Sequence, residues 1–279
     1  MAETFNKKKA LGQNFLTSDK IPTRIAEVCG IDEDCGVIEI GPGMGILTKQ
    51  LALRAAKVVA IEIDEELIPI LEERFSAADN VKIINKDVLK CDLGSIIKEE
   101  FDGMDCAVCA NLPYYITTPI IMALLEGNYG FRAITVMIQK EVAERLCAPA
   151  GSPNYGAVTA AVNYYASVKK QFNVGAANFS PKPKVDSAVI TITPYKDKPV
   201  KPQNEKLFFG VLKAAFATRR KTLVNSLSTA FNKISKGDIQ SIVSVHHSPT
   251  VRGEELSVAE LAQISDEINK LIYTTEERK

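Results

Sequence analysis

Gly41, Gly43 and Gly45 stand between an apolar stretch, Gly36 to Ile40, and a segment from Met44 to Arg54 whose apolar residues recur at helical spacing. Glycines there let the chain turn sharply and bring its backbone close to a ligand. The pattern reads as strand, glycine turn, helix, and it repeats along the chain. Val58 to Ile63 is a second strand followed by a helical stretch from Glu65 to Phe75, and Val81 to Ile84 supplies a third strand with Asp87 close behind. Ser95 to Phe101 reads as a helix, Asp105 to Ala110 as a fourth strand, Thr118 to Leu125 as a helix, and Ala133 to Ile138 as a fifth strand leading into another helix. Such alternation predicts a parallel, doubly wound α/β sheet that binds ligands at the C-terminal edge of its strands.

The pattern changes after Ala161. Tyr164 to Phe172 and Ser187 to Thr193 have the character of two further strands, giving a mainly parallel seven-stranded sheet. Lys196 to Gln203, rich in proline and lysine, reads as a linker. Beyond it lie only helical signals, at Glu205 to Ala217, Thr222 to Ile234, Lys236 to Val243 and Val258 to Leu271. The expected division is therefore an α/β domain over 1–200 and a small all-helical domain over 201–279.

Glu62 closes the second strand 21 residues after Gly41. An acid at that place accepts hydrogens from both hydroxyls of a ribose, so loop and acid together announce an adenosine-containing cofactor. The spacing G-x-G-x-G, preceded by Glu39, tilts the choice from a nicotinamide dinucleotide towards S-adenosyl-L-methionine. Asp87 is placed either to accept from an adenine amine or to cap a turn. Asn111-Leu112-Pro113-Tyr114 follows the fourth strand and brings an amide, a rigid turn and an aromatic ring to a strand tip. That set suits a planar base whose exocyclic amine must be held against an electrophile, with Asn111 and the Pro113 region accepting its hydrogens and Tyr114 stacking on the ring. A methyl sulfonium is already electrophilic, so alignment matters more than proton abstraction. The only histidines, His246 and His247, lie in the helical tail.

With these residues in place, the chain resembles the ribosomal RNA adenine N6,N6-dimethyltransferases over nearly its whole length. The resemblance is carried by Leu11 to Leu16, the Glu39 to Gly45 loop, Glu62, Asp87, Asn111 to Tyr115, and Phe179 to Ala188. It implies a Rossmann-like class I methyltransferase domain followed by a helical RNA-contacting domain. It implies that Asn14 and Leu16 cover the cofactor, Gly41 approaches it, Glu62 takes the ribose, Asp87 takes the adenine amine, and Asn111 sits where cofactor and target base meet. Tyr114 would stack on the target adenine, with Phe179 as a second wall. The implied reaction dimethylates two adjacent adenosines in the 3′-terminal hairpin loop of 16S rRNA, within the immature 30S subunit during ribosome biogenesis. Lys7 to Lys9 and the cluster Arg219, Arg220 and Lys221 would grip phosphates. Tyr115 stands where the family often has a smaller polar residue.

The bulk properties fit this assignment. Net charge is formally zero, yet Lys182 to Lys236 holds twelve Lys or Arg against three acids, while Ala60 to Asp105 holds thirteen acids against five bases. One region suits phosphates and another repels them. Six irregularly spaced cysteines favour free thiols in a reducing compartment; Cys106 and Cys109 form a C-x-x-C inside a strand, where burial is expected and no metal. No apolar run spans a bilayer, and a cytoplasmic, monomeric enzyme is expected. Two alternatives remain: an Erm-type 23S rRNA adenine N6-methyltransferase, which lacks the Phe216 to Leu223 stretch, and a non-catalytic ribosome assembly factor, against which intact Asn111, Tyr114, Glu62 and Asp87 argue.

Overall fold

The computed structural model describes residues 14–276. Strand β1 (Phe15–Leu16) and helix α1 (Lys20–Val28) lead into β2 (Gly36–Ile40), α2 (Ile46–Ala52), β3 (Lys57–Glu62), α3 (Ile68–Arg74) and β4 (Val81–Asn85). Next come α4 (Leu93–Phe101), β5 (Cys106–Asn111), α5 (Thr117–Glu126), β6 (Ile134–Gln139) and α6 (Lys140–Leu146). Helix α7 (Ala157–Tyr165), β7 (Ala166–Val174), β8 (Phe179–Ser180) and β9 (Ser187–Pro194) follow, and then α8 (Glu205–Phe216), α9 (Leu223–Ala230), α10 (Lys236–Ser244) and α11 (Val258–Glu276).

Seven strands form one sheet in the order β4-β3-β2-β5-β6-β9-β7. The pairs β2/β3, β3/β4, β2/β5 and β5/β6 are parallel, and β9 runs antiparallel to β6. Because β2 lies between β3 and β5, the chain leaves it in one direction and returns on its other side. That reversal opens a crevice at the strands' carboxyl ends. The central strands are buried on both faces, which explains their continuous apolar runs. On one face Ile25 and Ala26 of α1 and Leu47 and Leu51 of α2 pack on Val37, Val58, Cys109 and Val189. Cys106 and Cys109 are buried within β5, and none of the six cysteines forms a disulfide among the described residues.

The chain divides into two compact units, one comprising residues to Ala143 with Ser167–Pro194, the other Glu144–Ala166 with Tyr195 onward. The division thus falls at Pro194 rather than near 200, and the second unit recruits a segment expected in the first. Tyr164 and Tyr165, expected to open a strand, instead end helix α7. Aromatic packing overrides their strand propensity: the Tyr164 ring lies 5.0 Å from Phe208 and 5.4 Å from Phe209, and Lys198 Nζ sits 4.3 Å from its centroid. In this unit Phe208, Leu212, Leu227, Ile239, Leu261 and Ile268 build a core shared by four helices. Side-chain caps start all four: Asn204 accepts from Leu207 N, Thr222 from Asn225 N, Ser235 from Asp238 N and Ser257 from Glu260 N. Among the described residues no helix is long and apolar enough to cross a membrane.

Two glycines in the helical unit have opposite roles. A Cβ on Gly253 would fall 2.3 Å from the Ala215 carbonyl oxygen, whereas one on Gly210, inside α8, would meet only the Phe231 ring at 3.7 Å. Gly253→Ala is expected to cost about 1–3 kcal/mol through overpacking, and Gly210→Ala to add about 0.5–1 kcal/mol through helix propensity. Thermal unfolding followed by far-ultraviolet circular dichroism reads both; shifts of the same sign would contradict the packing described.

Candidate active site

Four strand ends meet at the crevice, and each contributes through the turn that follows it. After β2 the chain passes Gly41, Gly43 and Gly45 at φ of 67°, 57° and 76°, a left-handed backbone that side-chain-bearing residues seldom adopt. A Cβ on Gly41 would meet nothing within 4 Å, so the backbone there is bare towards the opening. At Gly43 the Phe15 ring already stands 2.9 Å from where a Cβ would be, so β1 lies directly on the loop. Strand β1 is in turn fixed by β8, with Leu16 opposite Phe179, and by Thr17 N donating to the Asn178 carbonyl at 3.0 Å.

Glu62 ends β3 and is nearly fully buried. One carboxylate oxygen accepts from Gly43 N at 3.0 Å and the other from Asp64 N at 2.9 Å, so this acid braces the glycine loop from the neighbouring strand. Burial raises its pKa, and the amides of Asp64 and Gly43 oppose that rise. Asp87, after β4, accepts from Leu89 N at 3.1 Å and pairs with Lys90 at 3.6 Å, which makes it a turn cap while it also faces the opening. Asn111 is the last residue of β5, and its Nδ2 donates to the Asn14 carbonyl at 3.3 Å, tying the strand tip to the segment before β1.

The turn beyond Asn111 is rigid. Leu112 N donates to Met137 O at 3.1 Å, and the Pro113 carbonyl accepts from both Ile116 N and Thr117 Oγ1. The Tyr114 hydroxyl is 2.7 Å from Ser187 Oγ, which holds the ring in place; burial pushes the phenol pKa up. Ser187 opens β9 and is wholly buried.

These elements line an open cleft whose empty space, with the solvent at its mouth included, is about 1090 Å³. Asn14, Leu16, Gly41 and Glu62 line it, as do Asp87, Asn111, Pro113 and Tyr114, so the residues singled out for cofactor and base share one cavity. Ile63 and Tyr115 border it too, 48% and 61% exposed. One expectation needs correction. Phe179 is 4% exposed and packed with Leu16 and Ile21 in the core, not along the cleft, because its strand is the partner that secures β1. Within the Pro113 region, the Pro113 carbonyl already accepts from Ile116 N and Thr117 Oγ1 of its own turn.

Arg219, Arg220 and Lys221 lie in the helical unit between α8 and α9, and all three are exposed. Arg219 donates to the Pro153 carbonyl at 2.6 Å and pairs with Glu254 at 3.4 Å, a structural engagement that Arg220 and Lys221 do not share. Lys7 to Lys9 fall outside the described residues. Among the described residues no group of His, Cys, Asp and Glu is arranged to hold a metal. Ser187 was missed as a partner of the site, although it lies inside the Phe179 to Ala188 stretch that sequence reading had already marked.

Comparison with known proteins agrees with this geometry. The family model described as ribosomal RNA adenine dimethylase matches residues 4–270. Ribosomal RNA small subunit methyltransferase A of Geobacillus thermodenitrificans is 49% identical over 271 residues, covering 96% of this chain and 92% of that protein. The protein of the same name from Shouchella clausii is 50% identical over 266 residues, covering 94% and 90%. Among solved structures, a dimethyladenosine transferase from Plasmodium falciparum superposes with a TM-score of 0.76 at 26% identity, over 92% of this chain and 98% of that one. The 23S rRNA methyltransferase ErmE shares the fold, with a TM-score of 0.70 at 23% identity, over 92% and 100%.

The Tyr114 anchor is open to a double-mutant cycle. Tyr114→Phe leaves the buried Ser187 hydroxyl without its partner and is expected to cost about 1–3 kcal/mol, while Tyr114→Phe with Ser187→Ala recovers part of that loss. Urea denaturation of the four proteins reads the coupling, and strictly additive losses would show that the two hydroxyls do not interact.

Proposed function

This chain belongs to the ribosomal RNA adenine dimethylase family, and from that membership we propose that it transfers methyl groups from S-adenosyl-L-methionine to N6 of two adjacent adenosines in the 3′-terminal hairpin loop of 16S rRNA. The observation that carries the proposal is the meeting, in one cleft, of the bare Gly41 backbone, the acids Glu62 and Asp87, and the Asn111 to Tyr114 turn. The substrate is a maturing 30S subunit, the enzyme acts as a monomer, and its place is the cytoplasm where such subunits assemble.

The cleft suits the donor chemically. Among the described residues Glu39, Glu62 and Asp87 line it against a single lysine, Lys86, a balance that favours a cationic ligand. S-Adenosyl-L-methionine supplies a methyl on positively charged sulfur, and transfer leaves a neutral sulfide. Gly41 admits the ligand to the loop, Glu62 accepts from the ribose hydroxyls, Asp87 accepts from the adenine amine, and Asn14 and Leu16 close over it.

On the acceptor side the Asn111 Nδ2 is committed to Asn14, which leaves the amide oxygen for a hydrogen of the target amine. With the Pro113 carbonyl engaged, the neighbouring Leu112 carbonyl is the second acceptor. Two such bonds draw the N6 lone pair out of conjugation and aim it at the methyl. Tyr114, pinned through Ser187, presents its ring to the base, and stacking of this kind contributes about 1–3 kcal/mol per base. A hairpin loop already offers splayed bases, so no duplex need open. The amine's surplus proton leaves to water, and no strong base is required.

Arg220 and Lys221 are the phosphate contacts, with Arg219 holding their turn. An Erm-type activity on 23S rRNA is less supported, because the relatives at 48–50% identity carry small-subunit names. Tritiated methyl incorporation into isolated 30S and 50S particles, followed by mapping of the labelled nucleotides, tests the assignment; label confined to 50S particles would refute it. Asn111→Ala is expected to abolish incorporation while leaving the circular dichroism spectrum unchanged, and wild-type rates would sink the mechanism. Arg220→Ala with Lys221→Ala should weaken binding to 30S particles and flatten the slope of log K against log salt by about 1.5, two contacts at roughly 0.7–0.9 each.

A further inference from the structure

Two tyrosines follow Pro113, and the structure uses them differently. The Pro113 carbonyl accepts from Ile116 N at 3.2 Å and from Thr117 Oγ1 at 3.1 Å, which closes a four-residue turn with Tyr114 and Tyr115 at its two corners. Tyr114 is secured within the protein, its hydroxyl 2.7 Å from Ser187 Oγ at the opening of β9. Tyr115 takes the other course. It is 61% exposed and makes no hydrogen bond or ring contact among the described residues, yet it borders the same cleft.

A lone exposed aromatic on an open surface calls for no explanation. This one differs in where it stands. Among the described residues three aromatic rings line the cleft, Phe15, Tyr114 and Tyr115. Phe15 lies against Gly43 and closes the glycine loop, Tyr114 is bonded to Ser187, and Tyr115 is left with its ring turned to the mouth. The groups suited to the donor stand at the ends of β2, β3 and β4, at Gly41, Glu62 and Asp87, whereas Tyr115 belongs to the turn after β5 that carries Asn111 and Tyr114. Consecutive Cα atoms are about 3.8 Å apart, and consecutive stacked bases rise about 3.4 Å along a strand. Neighbouring corners of one rigid turn are therefore spaced for neighbouring bases.

Resting on the assignment of this cleft to N6 methylation of two adjacent adenosines, we propose that Tyr115 is the platform for the base next to the one being methylated. While Tyr114 holds the target adenine, the Tyr115 ring stacks on its neighbour. Drawing one base into a pocket strips the adjacent base of its stacking partner, and an aromatic ring at the mouth replaces what was lost. Stacking also suits a substrate that changes between transfers. An N6,N6-dimethylated adenine has no amine hydrogen left to donate, so a hydrogen-bonding site built for the amine would reject it as a neighbour. Its planar face remains, and a ring that reads only that face accepts the neighbour before and after modification. The platform thus specifies a pair of bases where Asn111 and Tyr114 specify one.

The test uses the full-length protein, tritiated S-adenosyl-L-methionine and 30S particles lacking the modification, and separates KM for the particle from kcat. Tyr115→Ala and Tyr115→Leu should each raise KM about tenfold, the scale of one lost base stack. Their kcat should stay within about twofold, because the contact binds ground state and transition state alike. Tyr115→Phe, which keeps the stacking face, should hold KM within about twofold of wild type. Calorimetry with S-adenosylhomocysteine reads the donor site alone, and its Kd should change by less than about twofold in all three variants. The leucine variant keeps apolar bulk without a ring, so it decides the matter if Tyr115→Ala fails to fold. An unchanged KM in Tyr115→Leu, or a loss in Tyr115→Phe as large as in Tyr115→Leu, would overturn the proposal. So would a weakening of S-adenosylhomocysteine that matches the rise in KM, which would make Tyr115 a cover for the donor instead. Wild-type protein that puts no label into 30S particles would overturn the methyltransferase assignment itself, an outcome distinct from any difference among the variants.

Discussion

The parallel pairing of β2 with β3 on one side and β5 on the other is the constraint on which the site depends. Its register sets Glu39 beside Ala60 and Cys109, and Ile40 beside Ile61 and Ala110. Once those rungs are made, the three chain segments leave the sheet at the same level, and Gly41, Glu62 and Asn111 have nowhere to go but one edge. A slip of one residue in either pairing would turn every alternate side chain to the wrong face and separate the glycine loop from its brace. The Glu62 carboxylate makes this explicit, because it reaches from β3 to the Gly43 amide across the top of β2. Backbone hydrogen bonds set the edge, and a single side chain then locks the loop built on it.

Much of this was legible because the glycines and the apolar runs answer to local rules. A strand buried on both faces must be continuously apolar, and a turn at φ near 60° selects glycine, so β2, β3, β5 and the loop could be placed from composition alone. Acids and amides at strand tips are conspicuous for the same reason, since polar groups at the end of an apolar run need a purpose. What local rules do not encode are partnerships across long stretches of chain. Strands β1 and β8 are two residues each and exist only because they meet more than 160 residues apart in sequence. Tyr164 and Tyr165 look like strand residues until Phe208 and Phe209 are placed beside them. Phe179, which the resemblance implies as a second wall for the target base, is instead the buried residue of β8 that stands opposite Leu16 of β1.

That last correction changes how β1 is understood. Asn14 and Leu16 line the cleft not from a loose arm but at a strand, β1, bonded to β8, with the Phe15 ring resting on Gly43 and the Asn14 carbonyl tied to Asn111. The groups expected to touch donor and acceptor are thereby linked to one another through short contacts. Such prior ordering lowers the entropy lost when two ligands must be aligned to within fractions of an ångström. The Tyr114 to Ser187 bond does the same for the stacking face, at the modest cost of burying two hydroxyls that satisfy each other.

Electrostatics pose the remaining problem, since an acid-lined cleft must accept a target carried on a polyanion. Exposed charges are screened beyond about 8 Å at physiological salt, but buried acids are screened much less. Glu62 and Glu39, both nearly fully buried, would therefore repel a nearby phosphate chain if both were ionised and unpaired. The cationic donor proposed for this cleft would offset that repulsion, because its sulfonium brings a positive charge to the acids that line the opening.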